Sequence, residues 1–397
     1  MRHLLPPVND GRDSNPYGHL SGAEAARVVS FDLNREGWIW WPEREDLSFE
    51  FMRLLAAAQD GGSTVSECWL TASRIDFAAD DSWYREWIRT AEANHERGNA
   101  AAANGNLVTA RSNWLRAINY YQAAAYPFDH SPDRQRGMLA AMRSCAAKYL
   151  RHREPRGEVV SIPWLSEFTL QGYYLPARPA KDPAPAVICI GEPGHRKEEF
   201  LSKLAGHAVE RGMSLLAVDV LGDGTGARFE DVVRRHKLEL AIEHIMDYLV
   251  GRDDVDAGRI AIVSDGWSSS FVARGLASDR RYAAAVCDGG VWDTHERMFL
   301  KRRIGRSGTA VAWNPETNRL LRNINCPLLI TAGERGWLKP DRVVELADQP
   351  WVGHRDITLK IFESAETAAA QGHIDNPTLV NEFIFDWIAS RLGARPQ

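Results

Sequence analysis

The segment IAIVSDGWSSSF, residues 260–271, runs from an apolar β-branched stretch into a helix-forming one. Small residues recur at every second position, Ser264, Gly266 and Ser268. That is the rhythm of a G-x-S-x-G turn, in which a Ser at the tip of a sharp, strained bend serves as nucleophile. Here the tip is Gly266, which takes a positive φ without steric cost but cannot attack anything. The chemistry left is that of ionisable groups. Asp265, just before the tip, is either a carboxylate base or a helix cap. His195 in GEPGHRKEEF and His373 in AAAQGHIDNP are each either a general base in a pocket or a loop histidine. These three are the candidate catalytic residues. Ser268, with His373, offers an alternative nucleophile, although it lies two residues beyond the tip.

Substrate contacts are expected from five further positions. Asp288 ends the apolar run AAAVCD and is either pocket-lining or a structural acceptor; Trp292 follows four residues later. Glu334 follows PLLITAG and either lines the site or pairs with Arg335. Trp267 stands beside the tip. Tyr120 and Tyr121 are adjacent on one helix, so at most one of them faces a pocket; Tyr120 is the candidate. The 14 tryptophans are read first as packing and second as an aromatic pocket lining. The turn DVLGDGTG, residues 219–226, lacks the lysine of a phosphate loop and reads as structural.

The elements that must hold these residues change character near residues 154–157. Upstream, alanines, leucines and aromatics recur at three- and four-residue steps through residues 83–128, with Gly105 marking a turn between two antiparallel helices. A third helix is expected over residues 132–150. Downstream, VVSIPW and FTLQGYYLPA read as antiparallel strands. AVICIG, LLAVDVLG, RIAIVSDG, AAAVCDGG, PLLITAGE and ITLKIFES then alternate with helices over 198–211, 229–250, 269–278 and 377–391. Short apolar strands alternating with helices predict a doubly wound, mostly parallel sheet, with the site beyond the carboxyl ends of its strands. The expected division is a helical N-terminal cap domain, 1–155, and an α/β domain, 156–397.

Composition narrows the function classes. With 44% hydrophobic and 25% charged residues the chain is of ordinary globular make-up, and a net charge of -5 offers no field for nucleic acid or an anionic membrane. Five widely spaced cysteines form no CxxC pair and read as buried thiols rather than metal ligands or a disulfide set. No apolar run approaches the ~20 residues of a membrane span, and no signal peptide is evident, so a cytoplasmic protein without cofactor or metal is expected.

Taken in order, NWLRAINYYQAAAYPF, GEPGHRKEEF, DVLGDGTG and HIDNP with FIFDWI resemble the α/β-hydrolase family that includes 2,6-dihydroxypseudooxynicotine hydrolase, the fermentation-respiration-switch proteins and fungal polyketide-shortening hydrolases. The resemblance extends over residues 51–392. It implies the α/β-hydrolase fold with a helical cap, a small-molecule substrate and a homodimer formed through the helices. It also implies where a Ser-acid-His triad would stand. The acid would follow PLLITAG at the position of Gly336, and the base would fall at Gln371. With Gly266 at the tip, all three positions are occupied by residues that cannot play those parts. Pro193, in the turn that would supply an oxyanion donor, has no N–H to give, although Glu192 is the alternative donor position. The expectation is an enzyme of non-hydrolytic chemistry, namely elimination, C–C cleavage or cyclisation of a hydrophobic polyketide-like molecule. The alternatives are a catalytically dead binding or regulatory protein, and a hydrolase with a displaced triad.

Overall fold

The structure, a computed structural model, describes residues 41, 44–125, 132–165, 168–178, 181–191, 196–220, 238–266, 268–290, 324–336, 340–347 and 356–395. His195, Trp267 and Trp292 lie outside the described residues.

Five helices precede the sheet: α1 Glu45–Ala56, α2 Val65–Ala72, α3 Asp80–Ala103, α4 Leu107–Ala125 and α5 Pro132–Arg151. Helices α3 and α4 form the expected antiparallel pair, reversed at Gly105, whose φ of +76° is the left-handed conformation that glycine accepts most readily. Trp83, Trp87, Trp114 and Tyr120 are fully buried between these helices, and Trp87 stacks on Tyr120 at 5.6 Å. Tryptophans of this region thus serve packing.

Eight strands follow: β1 Glu158–Leu165, β2 Phe168–Leu175, β3 Ala184–Ile190, β4 Ser214–Asp219, β5 Val255–Asp265, β6 Ala284–Asp288, β7 Leu328–Gly333 and β8 Ile357–Phe362. They form one sheet in the order β1-β2-β4-β3-β5-β6-β7-β8. Strand β2 is antiparallel to both its neighbours, and from β4 to β8 every pairing is parallel. This is the α/β-hydrolase fold. Because the chain leaves β3 for β4 on one side and returns to β5 on the other, the order reverses at β3/β5. A crevice opens at such a switch point, outside the strand ends.

Strand alternation divides the core between the two faces. Val187, Leu215, Ala261, Val263, Val286 and Leu329 join the cluster that contains the N-terminal helices and the last helix. Their sequence neighbours Ile188, Leu216, Ile260, Ile262, Ala285 and Ile330 join the opposite cluster. The helical region therefore shares one continuous core with the sheet. The remaining described helices are α6 Phe200–Lys203, α7 Ala205–Glu210, α8 Leu238–Val250, α9 Ser268–Ser278, α10 Pro340–Ala347 and α11 Pro377–Leu392. The single helix expected over 198–211 is broken at Leu204, with φ −124° and ψ −25°. All five cysteines are buried and free.

Candidate active site

Strand β5 ends at Asp265 and α9 begins at Ser268, so the reversal is made within two residues. Gly266 makes it with φ +52°, and its N–H donates to the Asp288 carbonyl at 2.8 Å. A Cβ at Gly289, itself at φ +87°, would stand 3.4 Å from the Gly266 Cα. Two adjacent strand ends thus meet through backbone. Ser268 Oγ donates within the protein, to the carbonyls of Ile190 and Asp265 at 3.0 and 2.7 Å, and is buried. It is turned away from the tip and does not line the cavity beside it.

That cavity, of about 140 Å³, lies over the strand ends between the sheet and the N-terminal helices. Its wall includes all three triad positions, Gly266, Gly336 and Gln371, and a Cβ at Gly336 would lie 3.3 Å from Gln371 Oε1. The three positions at which the resemblance would place a triad thus line one cavity.

Two ion pairs stand at the ends of β5 and β6. Lys203 Nζ donates to Asp265 Oδ2 at 3.2 Å. Burial alone would favour the neutral amine, but the negative charges of Asp265, Glu199 and Asp288 outweigh it and hold the Lys203 ammonium above the usual lysine range. Lys203 is thus a cation rather than an amine nucleophile. The second pair joins His373 Nε2 to Asp288 Oδ1 at 3.0 Å, with Thr331 Oγ1 donating to the same oxygen at 2.8 Å. His373 Nδ1 lies 2.5 Å from the Ala368 carbonyl. Burial would lower the imidazole's proton affinity; the Asp288 charge, the hydrogen bond to it and the Ala368 carbonyl together raise it.

The loop bearing His373 holds three non-glycine residues in the left-handed region: Thr367 at φ +68°, Ala368 at +59° and His373 at +55°. Strain of this kind persists only where other contacts enforce it. Asp375 supplies them, accepting from the N–H groups of Ala369 and Ala370 at 3.1 Å each and pairing with Arg335 at 3.4 Å.

The N-terminal helices close the cavity. Phe49 and Arg53 lie at i, i+4 on α1 and Ala57 caps its end, Asn119 comes from α4, and Glu199, Ser202 and Lys203 form one face around α6. Arg53 is held by Glu50 at 2.5 Å and by Glu199 at 3.7 Å. Among the described residues no group of three or more His, Cys, Asp and Glu side chains is placed to hold a metal ion.

Of the candidates, Asp265, Asp288 and His373 line this one cavity. Tyr120 does not. Its hydroxyl accepts from Thr64 N–H and donates to Glu67, both at 2.9 Å, inside the helical core, because the helix turns its neighbour Asn119 to the cavity instead. Glu334 also misses the wall: its Oε2 accepts from Ser364 N–H at 2.6 Å, tying β7 to the segment after β8. Lys203, Arg53, Glu199, Ser202 and Asn119 were not anticipated. The i, i+3, i+4 spacing of Glu199, Ser202 and Lys203 was the available signal, but it reads equally well as a solvated helix face.

No family model matches the chain. The hydrolyase poxO of Penicillium oxalicum is 27% identical over 311 residues, 76% of this chain and 68% of that protein. The 20-hydroxy-prefusarin hydrolase FUS2 of Gibberella moniliformis is 29% identical over 251 residues, 61% of this chain and 60% of its own length. Among solved structures, 2,6-dihydroxy-pseudo-oxynicotine hydrolase superposes with a TM-score of 0.65 at 17% identity, covering 86% of this chain and 98% of that one. AbyA5 gives 0.62 at 19%, covering 88% and 96%.

Proposed function

We propose that this chain, which has the α/β-hydrolase fold, is an enzyme without the Ser-acid-His triad that performs an acid–base step on a hydrophobic, polyketide-like small molecule in specialised metabolism. Elimination is the step the site supports best, ahead of C–C cleavage or cyclisation. One observation carries this. Gly266 takes the tip of the elbow at φ +52°, and the groups around it are two carboxylate–cation pairs, Asp265–Lys203 and Asp288–His373. Such a set moves protons and stabilises charge without forming a covalent intermediate.

In this reading the Asp265 carboxylate removes a proton α to a carbonyl. The electron pair moves toward the carbonyl oxygen, where the Lys203 ammonium stabilises it. The pair then returns to form the Cα=Cβ bond as the β C–O bond breaks, and the proton held between His373 and Asp288 passes to the departing oxygen. Proton return from Asp265 to His373 through solvent restores the site. The name hydrolyase borne by the Penicillium oxalicum relative agrees with an elimination.

The test is to incubate the protein with β-hydroxy and β-acyloxy aryl ketones in heavy water. Deuterium entry at the α-carbon and appearance of the enone are expected, both lost in Asp265→Asn. Ester turnover accompanied by stoichiometric labelling of a serine would establish a displaced triad and overturn the reading. Tight binding of a ketone without exchange or product would favour a binding protein.

A further inference from the structure

Asn119 is 1% exposed, yet it reaches the cavity wall from α4. Its Nδ2 donates to the Leu115 carbonyl at 3.3 Å and to Ser202 Oγ at 3.1 Å. The Ser202 hydroxyl is itself committed, donating to the Glu199 carbonyl at 3.1 Å. Both neighbours of Nδ2 are therefore acceptors, and this fixes the orientation of the amide: reversing it would set Oδ1 against two acceptors. In the orientation so fixed, Asn119 Oδ1 is buried and meets no donor among the described residues. A buried acceptor in that state calls for a partner from outside the chain, since nearly all such groups are paired.

The position limits what the partner can be. Ser202 precedes Lys203, whose ammonium reaches Asp265 at the elbow. Gly62 closes the other side so tightly that a Cβ there would come within 2.9 Å of both Asn119 Nδ2 and Ser202 Oγ. The cations nearby are taken: Arg53 by Glu50 and Glu199, Lys203 by Asp265. A neutral donor fits an amide oxygen in this setting better than a third cation would.

We propose that Asn119 Oδ1 is a specificity determinant that accepts a hydrogen bond from a hydroxyl group of the substrate, so the cavity selects hydroxylated ketones over their deoxy counterparts. The inference rests on the cavity being the substrate site, as proposed above, but not on the reaction performed there. A hydroxyl used in this way should gain roughly ten-fold or more in affinity, the usual consequence of pairing a buried acceptor that is otherwise unsatisfied.

The experiment measures dissociation constants of para-hydroxyacetophenone and of acetophenone by calorimetry, for the full chain and for Asn119→Leu. Acetophenone is the more apolar of the two, so tighter binding of the hydroxylated ketone reports the hydrogen bond rather than greater apolar burial. The wild-type chain is expected to prefer the hydroxylated ketone, and Asn119→Leu to lose that preference while still binding acetophenone. If Asn119→Leu does not fold, the wild-type ratio decides by itself. Equal affinities, preference for acetophenone, or binding of neither ketone would overturn the proposal. Absence of turnover with intact selectivity would instead count against the elimination reading alone.

Discussion

His373 Nε2 stands 3.0 Å from Asp288 Oδ1 while its Nδ1 stands 2.5 Å from the Ala368 carbonyl. Asp288 Oδ1 also accepts from Thr331 Oγ1, so both ring nitrogens face acceptors, and only an imidazolium supplies two donors. In a hydrolase triad one ring nitrogen is turned to the nucleophile and the other to the acid. Here the carboxylate takes the first place and a backbone carbonyl the second, so His373 stores a proton rather than waiting to receive one.

This ion pair makes stability depend on pH in a defined direction. The proton affinity of His373 is raised in the folded protein, so its stabilisation is complete below the ordinary histidine value of about 6.5 and is lost as pH rises through the folded value. Breaking a buried pair on one side costs about 3 kcal/mol or more. His373→Gln should be less stable than the wild type by that order at about pH 6, with a gap that narrows at about pH 9. Urea unfolding at the two pH values measures it, and a gap that widens with pH would contradict the assignment.

Restoring the residue at the elbow should not restore a hydrolase. Gly266→Ser places a hydroxyl at φ +52°, a strained conformation for serine. The position where the resemblance would put a base is Gln371, and His373 is engaged at both nitrogens. An unactivated hydroxyl is a poor nucleophile at neutral pH. Both the wild-type chain and Gly266→Ser are expected to leave p-nitrophenyl esters intact, without a burst, and to resist fluorophosphonate labelling.

How much of this was legible before folding follows from the range of each signal. The elbow and the strands are local patterns, and Gly266, Asp265 and the sheet could be read from them. Asp288 and His373 were each recognisable as strand-end or loop candidates. Their pairing was not, because it depends on β6 ending beside β7 while the loop after β8 folds back over both. Lys203, Arg53 and Asn119 sit on helices, where a rotation of one residue exchanges a cavity face for a packed one. Tyr120 shows this: α4 does reach the cavity, but through the adjacent Asn119.

The Lys203–Asp265 pair should behave as a unit. The side chains retain 20% and 13% exposure, so solvent screens the pair in part. Lys203→Met leaves Asp265 facing Asp288 and Glu199 without its cation, a loss of roughly 1–3 kcal/mol. Asp265→Asn removes the nearest of the three carboxylates around the Lys203 ammonium. The double variant is expected to be more stable than the sum of the two losses predicts, a coupling that a double-mutant cycle of unfolding free energies measures directly. Additive losses would mean that the two side chains do not depend on each other. If the proposed elimination is the reaction, either single variant should abolish enone formation, because one removes the proposed base and the other the charge proposed to stabilise the enolate.

The loop that carries His373 gives the last expectation. Three left-handed non-glycine residues within seven positions cannot be held by local preference, and Asp375 is the group that ties them down through the amides of Ala369 and Ala370 and through Arg335. Asp375→Ala leaves two amide donors without the acceptor they have here and removes the ion pair with Arg335. The residues concerned lie in one loop, so the loss should stay local rather than unfold the sheet beneath it. Hydrogen exchange at the amides of Ala369 and Ala370 is expected to accelerate roughly ten-fold or more, at about 1–3 kcal/mol per lost acceptor, while amides of β5 and β6 keep their protection. Enone formation should fall with it, since His373 would no longer be pressed against Asp288. If exchange accelerates in the sheet to the same degree, Asp375 supports the whole domain; if it accelerates nowhere, the loop is held by other contacts and the strain at Thr367, Ala368 and His373 needs another explanation.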